Sequence, residues 1–120
     1  METKEKIKVI VKALDSKKAK DIKVIKIDDI TSICDYFVIA TGTSSTQVRT
    51  LADETDYQMG LCGVNPQQIE GNGKNSWILI DYIDVVVHVF DRQAREFYDL
   101  DKLWADGEEI DIDEFLGEQE

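Results

Sequence analysis

The 120-residue sequence contains one proline, two cysteines and a single histidine, and each scarcity removes a class of reading. With Pro66 alone, no proline-rich linker divides the chain. Cys34 and Cys62 form no Cys-x-x-Cys pair, and one histidine supplies no metal-ligand spacing. They read as ordinary reduced thiols of a cytosolic protein. No apolar run approaches the roughly 18 residues of a membrane span. Lys8 and Lys12 interrupt the apolar positions near the amino terminus, so no secretory hydrophobic region is visible and a cytoplasmic location is expected. The phosphate-binding patterns Gly-x-x-x-x-Gly-Lys-Ser/Thr and Gly-x-Gly-x-x-Gly are both missing.

A basic excess is missing too. Fourteen Lys and Arg stand against 25 Asp and Glu, a formal charge of −11. Phosphate contacts need a basic footprint, so naked nucleic acid is not expected as a partner. An anionic membrane surface is disfavoured for the same reason. What remains is a globular composition, 42% hydrophobic and 8% aromatic, at a length that suits one domain with its own core. The charge is unevenly placed. Residues 1–26 carry a net +5, residues 27–106 a net −9, and residues 107–120 seven acids and no base. That last stretch reads as an acidic, disordered tail after a single domain over residues 1–106, since so dense an acidic run buries little apolar surface. Loose binding of divalent cations by Asp111, Asp113 and Glu114 is a weaker reading of it.

Periodicity orders the rest. Ile7, Ile10, Val11 and Leu14 recur at helical spacing over residues 2–15, with Thr3 as a candidate N-cap. Residues 21–28 read as a strand in which Ile22 and Val24 point one way and Ile25 and Ile27 the other. That pattern suits a strand covered on both faces, or one with a bulge. Residues 36–41 form a near-continuous apolar run, expected as a central strand. A helix follows to about Met59, then a short strand at residues 67–70. Strands at 76–81 and 85–90 flank Tyr82-Ile83-Asp84 as a hairpin. Asp91 is a candidate cap for a short helix carrying Ala94, Phe97 and Tyr98, and Leu100, Leu103 and Trp104 extend its apolar stripe. The class is α/β or α+β: a mixed sheet of about five strands flanked by helices.

Gly42-Thr43-Ser44-Ser45 follows a strand and opens a helix, where backbone N–H groups can cradle an anion. A tight turn with a Ser or Thr cap explains the same residues. A metal-dependent nucleotidyl- or phosphotransferase using the Gly42-Thr43-Ser44 turn would need carboxylates converging on a divalent ion. Asp99 and Asp101 lie two apart in a helical segment and diverge. Asp111 and Asp113 sit in the tail, and Asp81 and Asp84 lack a third ligand. His88, in an apolar strand, reads as packed rather than catalytic. No enzyme activity, cofactor or metal is expected.

The hairpin is the most informative segment. Alternation puts Trp77, Leu79 and Asp81 on one face and Ile78, Ile80 and Tyr82 on the other. If the second row covers the core, Trp77 and Leu79 stay partly exposed beside a carboxylate, a pattern that suits a binding hot spot. A sheet with helices on both faces buries both rows instead. An acidic body with apolar anchors favours a basic protein partner.

The residues Ser32 through Ser45, Glu70-Gly71, Trp77 through His88, and Arg95-Glu96-Phe97-Tyr98 with Leu100 and Leu103-Trp104 together resemble the ribosomal silencing factor family, also called RsfS or Iojap-like. The resemblance runs in unbroken order from about residue 5 to 106. It implies a small mixed α/β fold related to nucleotidyltransferases but without their catalytic carboxylates. It also implies a non-enzymatic factor that binds the large ribosomal subunit through ribosomal large-subunit protein fourteen. Such a factor sterically blocks subunit joining and represses translation when nutrients are short. Self-association as a dimer is implied as well. Position by position, the resemblance places the partner surface on Trp77, Leu79, Asp81 and Tyr82, while Arg95 and Tyr98 match a downstream motif. Ile83 departs from the pattern: the family usually has glycine there, which suggests a turn with positive φ that a β-branched residue resists. The Lys-rich amino terminus leaves room for the chain to sit on a ribonucleoprotein particle, with its acidic middle against a basic protein.

Overall fold

The structure is a computed structural model that describes residues 1–71 and 73–116. Its elements run α1 (Thr3–Ser16), β1 (Lys20–Lys26), β2 (Tyr36–Gly42), α2 (Ser45–Leu61), β3 (Gln68–Gly71), β4 (Trp77–Asp81), β5 (Val85–Asp91), α3 (Arg92–Tyr98), α4 (Leu100–Leu103), β6 (Glu108–Ile110) and α5 (Asp113–Leu116). The strands form one mixed sheet in the order β3-β4-β5-β2-β1-β6. Only the central β2–β5 pair is parallel among the described strands; the other neighbours are antiparallel. Helix α2 carries the chain from β2 to the far edge of the sheet, two strand positions beyond β5. No helix among the described residues is long and apolar enough to cross a membrane.

Helices cover both faces of the sheet, which explains the continuous apolar runs of β2 and β5. Tyr36, Val38, Ala40, Val85, Val87 and Val89 meet α1, α2 and α5 on one side. Phe37, Ile39, Val86 and Phe90 join Ala94 of α3 on the other, with Leu100 and Trp104 packed against them. A side chain of this kind, fully buried, contributes about 1.5–3 kcal/mol relative to exposure. β1 shows both features expected of it. Its register with β2 slips between Lys20 and Lys23, where Asp21 takes φ +49°, and beyond that bulge Val24 and Ile25 enter opposite cores. Gly42 permits the close approach of α2, because a Cβ there would lie 2.9 Å from the Val48 nitrogen.

Two expectations need correction. The residue at the α1 cap position is Glu2, which makes no side-chain capping bond. Thr3 lies one residue further in, and its hydroxyl donates to Asp84 instead. The stretch after Gly107 is also not a disordered tail as far as the structure describes it. β6 pairs with β1 as a sixth strand, setting Glu108 opposite Lys26, and Phe115 of α5 is buried in the core that α1 covers. The acidic composition masks four apolar residues, Ile110, Ile112, Phe115 and Leu116, that reach the helical core. Their burial, with charge pairing across the strands, orders the segment. Gly107 marks no break: a Cβ there would lie 2.6 Å from Ile25 Cγ2, so it is a close contact with β1. Residues 117–120 of the expected tail lie outside the described residues.

Candidate partner-binding site

The β4–β5 hairpin sets Trp77 opposite Phe90, Leu79 opposite His88 and Asp81 opposite Val86. All six face away from α1 and α2. Trp77 is half-buried, and its indole Nε1–H donates to His88 Nδ1 at 3.2 Å. The indole stacks on Phe90 with centroids 5.6 Å apart and meets Tyr98 of α3 at 4.8 Å, tilted by 42°. Phe37 completes the cluster edge-on to His88. The anchor ring is therefore held from three sides and keeps one side toward solvent.

His88 is buried, and burial pulls its imidazole down to about 4. It is neutral at physiological pH and accepts through Nδ1, which places its proton on Nε2. No partner for Nε2 occurs among the described residues. The lone pair with which this imidazole would take a proton is already accepting from Trp77. Burial likewise pushes the Cys34 thiol up to about 11, so it is not a poised nucleophile.

Of the four residues expected on the partner surface, Trp77, Leu79 and Asp81 share the outward face and are half-buried. Tyr82 does not join them. It is 2% exposed and packs in the core beneath α1 and α2. The strand alternation of Ile78, Ile80 and Tyr82 already carried this answer, and the resemblance overrode it. Asp81 Oδ1 accepts from the Ile83 N–H at 2.8 Å, bracing the turn. Ile83 sits at φ +78° and is exposed. The Asp84 N–H donates back to the Tyr82 carbonyl at 3.0 Å, closing a three-residue γ-turn around Ile83. The turn thus keeps the positive φ that suits glycine. Asp84 is itself tied to α1 by Lys6 Nζ at 2.7 Å. Burial alone would raise its carboxyl, but the Lys6 and Thr3 hydrogen bonds outweigh that and hold it below the usual range.

Arg95 is a clamp within the fold. Its Nη1 donates to the Asp21 carbonyl at 2.6 Å and to Thr41 Oγ1 at 2.8 Å. Its Nε and Nη2 hold the two oxygens of Asp101 at 3.1 and 2.9 Å, and Lys23 reaches the same carboxylate at 3.0 Å. Arg95 chiefly, opposed by burial and helped by Lys23, keeps Asp101 far below the usual carboxylate range. This network fixes α3 and α4 beside the sheet. It thereby presents to solvent three residues of the apolar stripe read from the sequence: Phe97, 79% exposed, with Tyr98 and Leu103. A seven-residue helix buries one narrow side, here Ala94, and the pattern alone does not say which.

The Gly42 turn is occupied by the chain itself. Ser44 caps α2, accepting from the Gln47 N–H at 3.1 Å. The Gln47 carboxamide oxygen takes the Thr43 N–H and hydroxyl, and its NH₂ donates to the Lys17 and Lys18 carbonyls. The Thr43 and Gln47 N–H groups at this turn are thus engaged by the chain's own side chains. No cluster of three or more metal-ligating side chains occurs among the described residues. Asp99 and Asp101 serve a cap and the Arg95 clamp, and Asp111 accepts from the Asp113 N–H.

Over residues 1–120 the chain matches the family described as ribosomal silencing factor during starvation. The chain belongs to the ribosomal silencing factor (RsfS) family. It is 38% identical over 113 residues to the Bacillus subtilis ribosomal silencing factor RsfS, covering 94% of this chain and 96% of that one. It is 33% identical over 102 residues to the Mus musculus mitochondrial assembly of ribosomal large subunit protein 1, covering 82% of this chain and 45% of the mouse protein. Among solved structures, a Chromobacterium violaceum protein superposes with a TM-score of 0.84 at 36% identity, with 88% of each chain covered. A Bacillus halodurans protein gives 0.80 at 34%, covering 91% of this chain and 99% of that one. RsfS membership places the chain among factors that regulate translation at the ribosome during starvation, and the family is named for silencing rather than for a reaction.

Proposed function

We propose that this chain represses translation by docking on a basic protein of the large ribosomal subunit, protein fourteen by resemblance, and thereby sterically blocking the small subunit from joining. The observation that carries the reading is Trp77. A large aromatic ring that is oriented by His88, stacked on Phe90, flanked by the tilted ring of Tyr98, and still open on one side has little rotamer freedom to lose on binding. Leu79 extends the apolar anchor, and Asp81 supplies charge for a basic surface. Phe97 and Tyr98 enlarge the same face beyond the residues expected from sequence. The segment 27–106 is net acidic, which steers it toward a basic protein.

The test is cosedimentation of the protein with isolated large subunits, followed by mixing with small subunits on a sucrose gradient. Trp77→Ala removes a buried anchor worth about 2 kcal/mol or more and should weaken large-subunit binding roughly tenfold or more, with the circular dichroism spectrum unchanged. The wild-type chain should lower the yield of joined ribosomes. Large-subunit binding that ignores Trp77→Ala would remove the assignment of this face.

A further inference from the structure

A recess of about 320 Å³ opens between the β3–β4 edge and α3, lined by Glu70, Gly71, Trp77, Leu79 and Tyr98. It lies at the small end of the range for ligand cavities, about 300–1,000 Å³. That suits one inserted side chain better than a nucleotide. Its walls have a definite chemistry. Strand register sets Glu70 beside Leu79, so the carboxylate stands on the same face as Trp77. Glu70 Oε2 accepts from Gln68 Nε2 at 2.6 Å, which holds the carboxylate in place, and among the described residues it enters no ion pair. The indole and phenol rings meet at 4.8 Å and 42°, leaving an inclined aromatic wall. The Trp77 N–H is already spent on His88, and the Tyr98 hydroxyl can accept as well as donate. The recess therefore offers two ring faces, a carboxylate and a phenol oxygen able to accept, with its indole donor engaged.

That combination selects a cation that carries donors only and can lie flat on a ring. Guanidinium meets the description better than ammonium, because it is planar, weakly hydrated and stacks on aromatic faces. We propose that this recess receives the guanidinium of an arginine side chain presented by the docked basic protein. Glu70 pairs with the cation, Trp77 and Tyr98 bear its plane, and the side-chain stem lies along Leu79. The inference rests on the docking face described under the proposed function and names what that face reads.

The test separates the two. The Trp77 indole N–H resonance of the full chain, assigned from a Trp77→Phe spectrum, is followed during titration with N-acetyl-arginine amide, N-acetyl-lysine amide or N-acetyl-norleucine amide. The expected result is a saturable shift, tightest with the arginine probe. Glu70→Gln should weaken that probe by about threefold or more, as should Tyr98→Leu. Glu70→Gln should also weaken large-subunit binding by at least a similar factor. An equal response to norleucine amide would make the recess merely apolar and overturn the proposal. The absence of a saturable shift, or loss of the arginine response at high protein concentration through occupation by a second copy, would overturn it too. If the arginine probe binds while large subunits do not cosediment, the recess stands and the ribosomal reading falls. If large subunits bind through Trp77 but Glu70→Gln changes neither assay, the face stands and the arginine socket falls.

Discussion

Trp77 and His88 lie on adjacent strands, two residues out of direct register, and are joined by an Nε1–H···Nδ1 hydrogen bond of 3.2 Å. The lone histidine is thus the part that orients the outward-facing tryptophan of β4. It can do so only while neutral, because a protonated imidazole has no acceptor. Burial maintains that state by drawing its titration down to about 4.

This arrangement makes stability depend on pH in a definite direction. In the unfolded chain His88 titrates near its ordinary 6.5, so between pH 6.5 and 4 the unfolded state binds more protons than the folded state. Stability is fully present above pH 6.5 and falls as pH drops toward 4. Denaturant titrations should show a loss of about 2 kcal/mol between pH 7 and pH 5. His88→Phe, which cannot titrate, should abolish most of that slope and free the indole N–H. An unchanged slope in the variant would assign the effect to other groups.

Arg95 matches a motif of the family, yet its bonds all run inward to Asp21, Thr41 and Asp101. Arg95→Ala should cost about 2–3 kcal/mol in urea unfolding, since it leaves the Asp101 carboxylate without its bidentate partner. Binding to large subunits, measured well below the melting transition, should change little. A binding loss without a stability loss would move Arg95 to the interface.

Ile83 is a β-branched residue held at φ +78° and two-thirds exposed. Ile83→Gly removes backbone strain of about 1–3 kcal/mol and offsets part of the gain through greater unfolded-state freedom. The expected net change is a stabilisation of about 0.5–1 kcal/mol, read as a rise in the urea midpoint. A clear destabilisation would mean that the isoleucine side chain supports the fold.

Phe115 tests the carboxy-terminal segment. Its ring is buried in the core beside α1, so Phe115→Ala should cost about 3 kcal/mol, with a matching fall in melting temperature. A solvated acidic tail would give no change.

Much of this fold is legible in the residues. The spacing of Ile7, Ile10, Val11 and Leu14 identifies α1. The opposed pairs Ile22/Val24 and Ile25/Ile27 announce both the two-sided core and the bulge of β1. Asp91 caps α3 through the Ala94 N–H at 2.7 Å, because a carboxylate before a helix has few better uses. The ordered residues after Gly107 were hidden because net charge averages over a segment, whereas burial is decided one side chain at a time. Four apolar residues among the five acids of residues 108–116 suffice once β1 offers an unpaired edge.

Local pattern also sufficed for the rows of β4, and hence for Tyr82 facing the core. Motif order sufficed for the family. Which outward residues form a binding face was a different matter. Whether Trp77 is covered or open depends on how far α3 and α4 reach across the sheet, and their placement is set by the Arg95 clamp, which joins residues 21, 41, 95 and 101. The recess beside Trp77 likewise draws Glu70 from an edge strand and Tyr98 from a helix. Contacts of that range have no signature in neighbouring residues. They exist only after the sheet has brought distant segments together, which is why the outward row of Trp77 and Leu79 was readable and its surroundings were not.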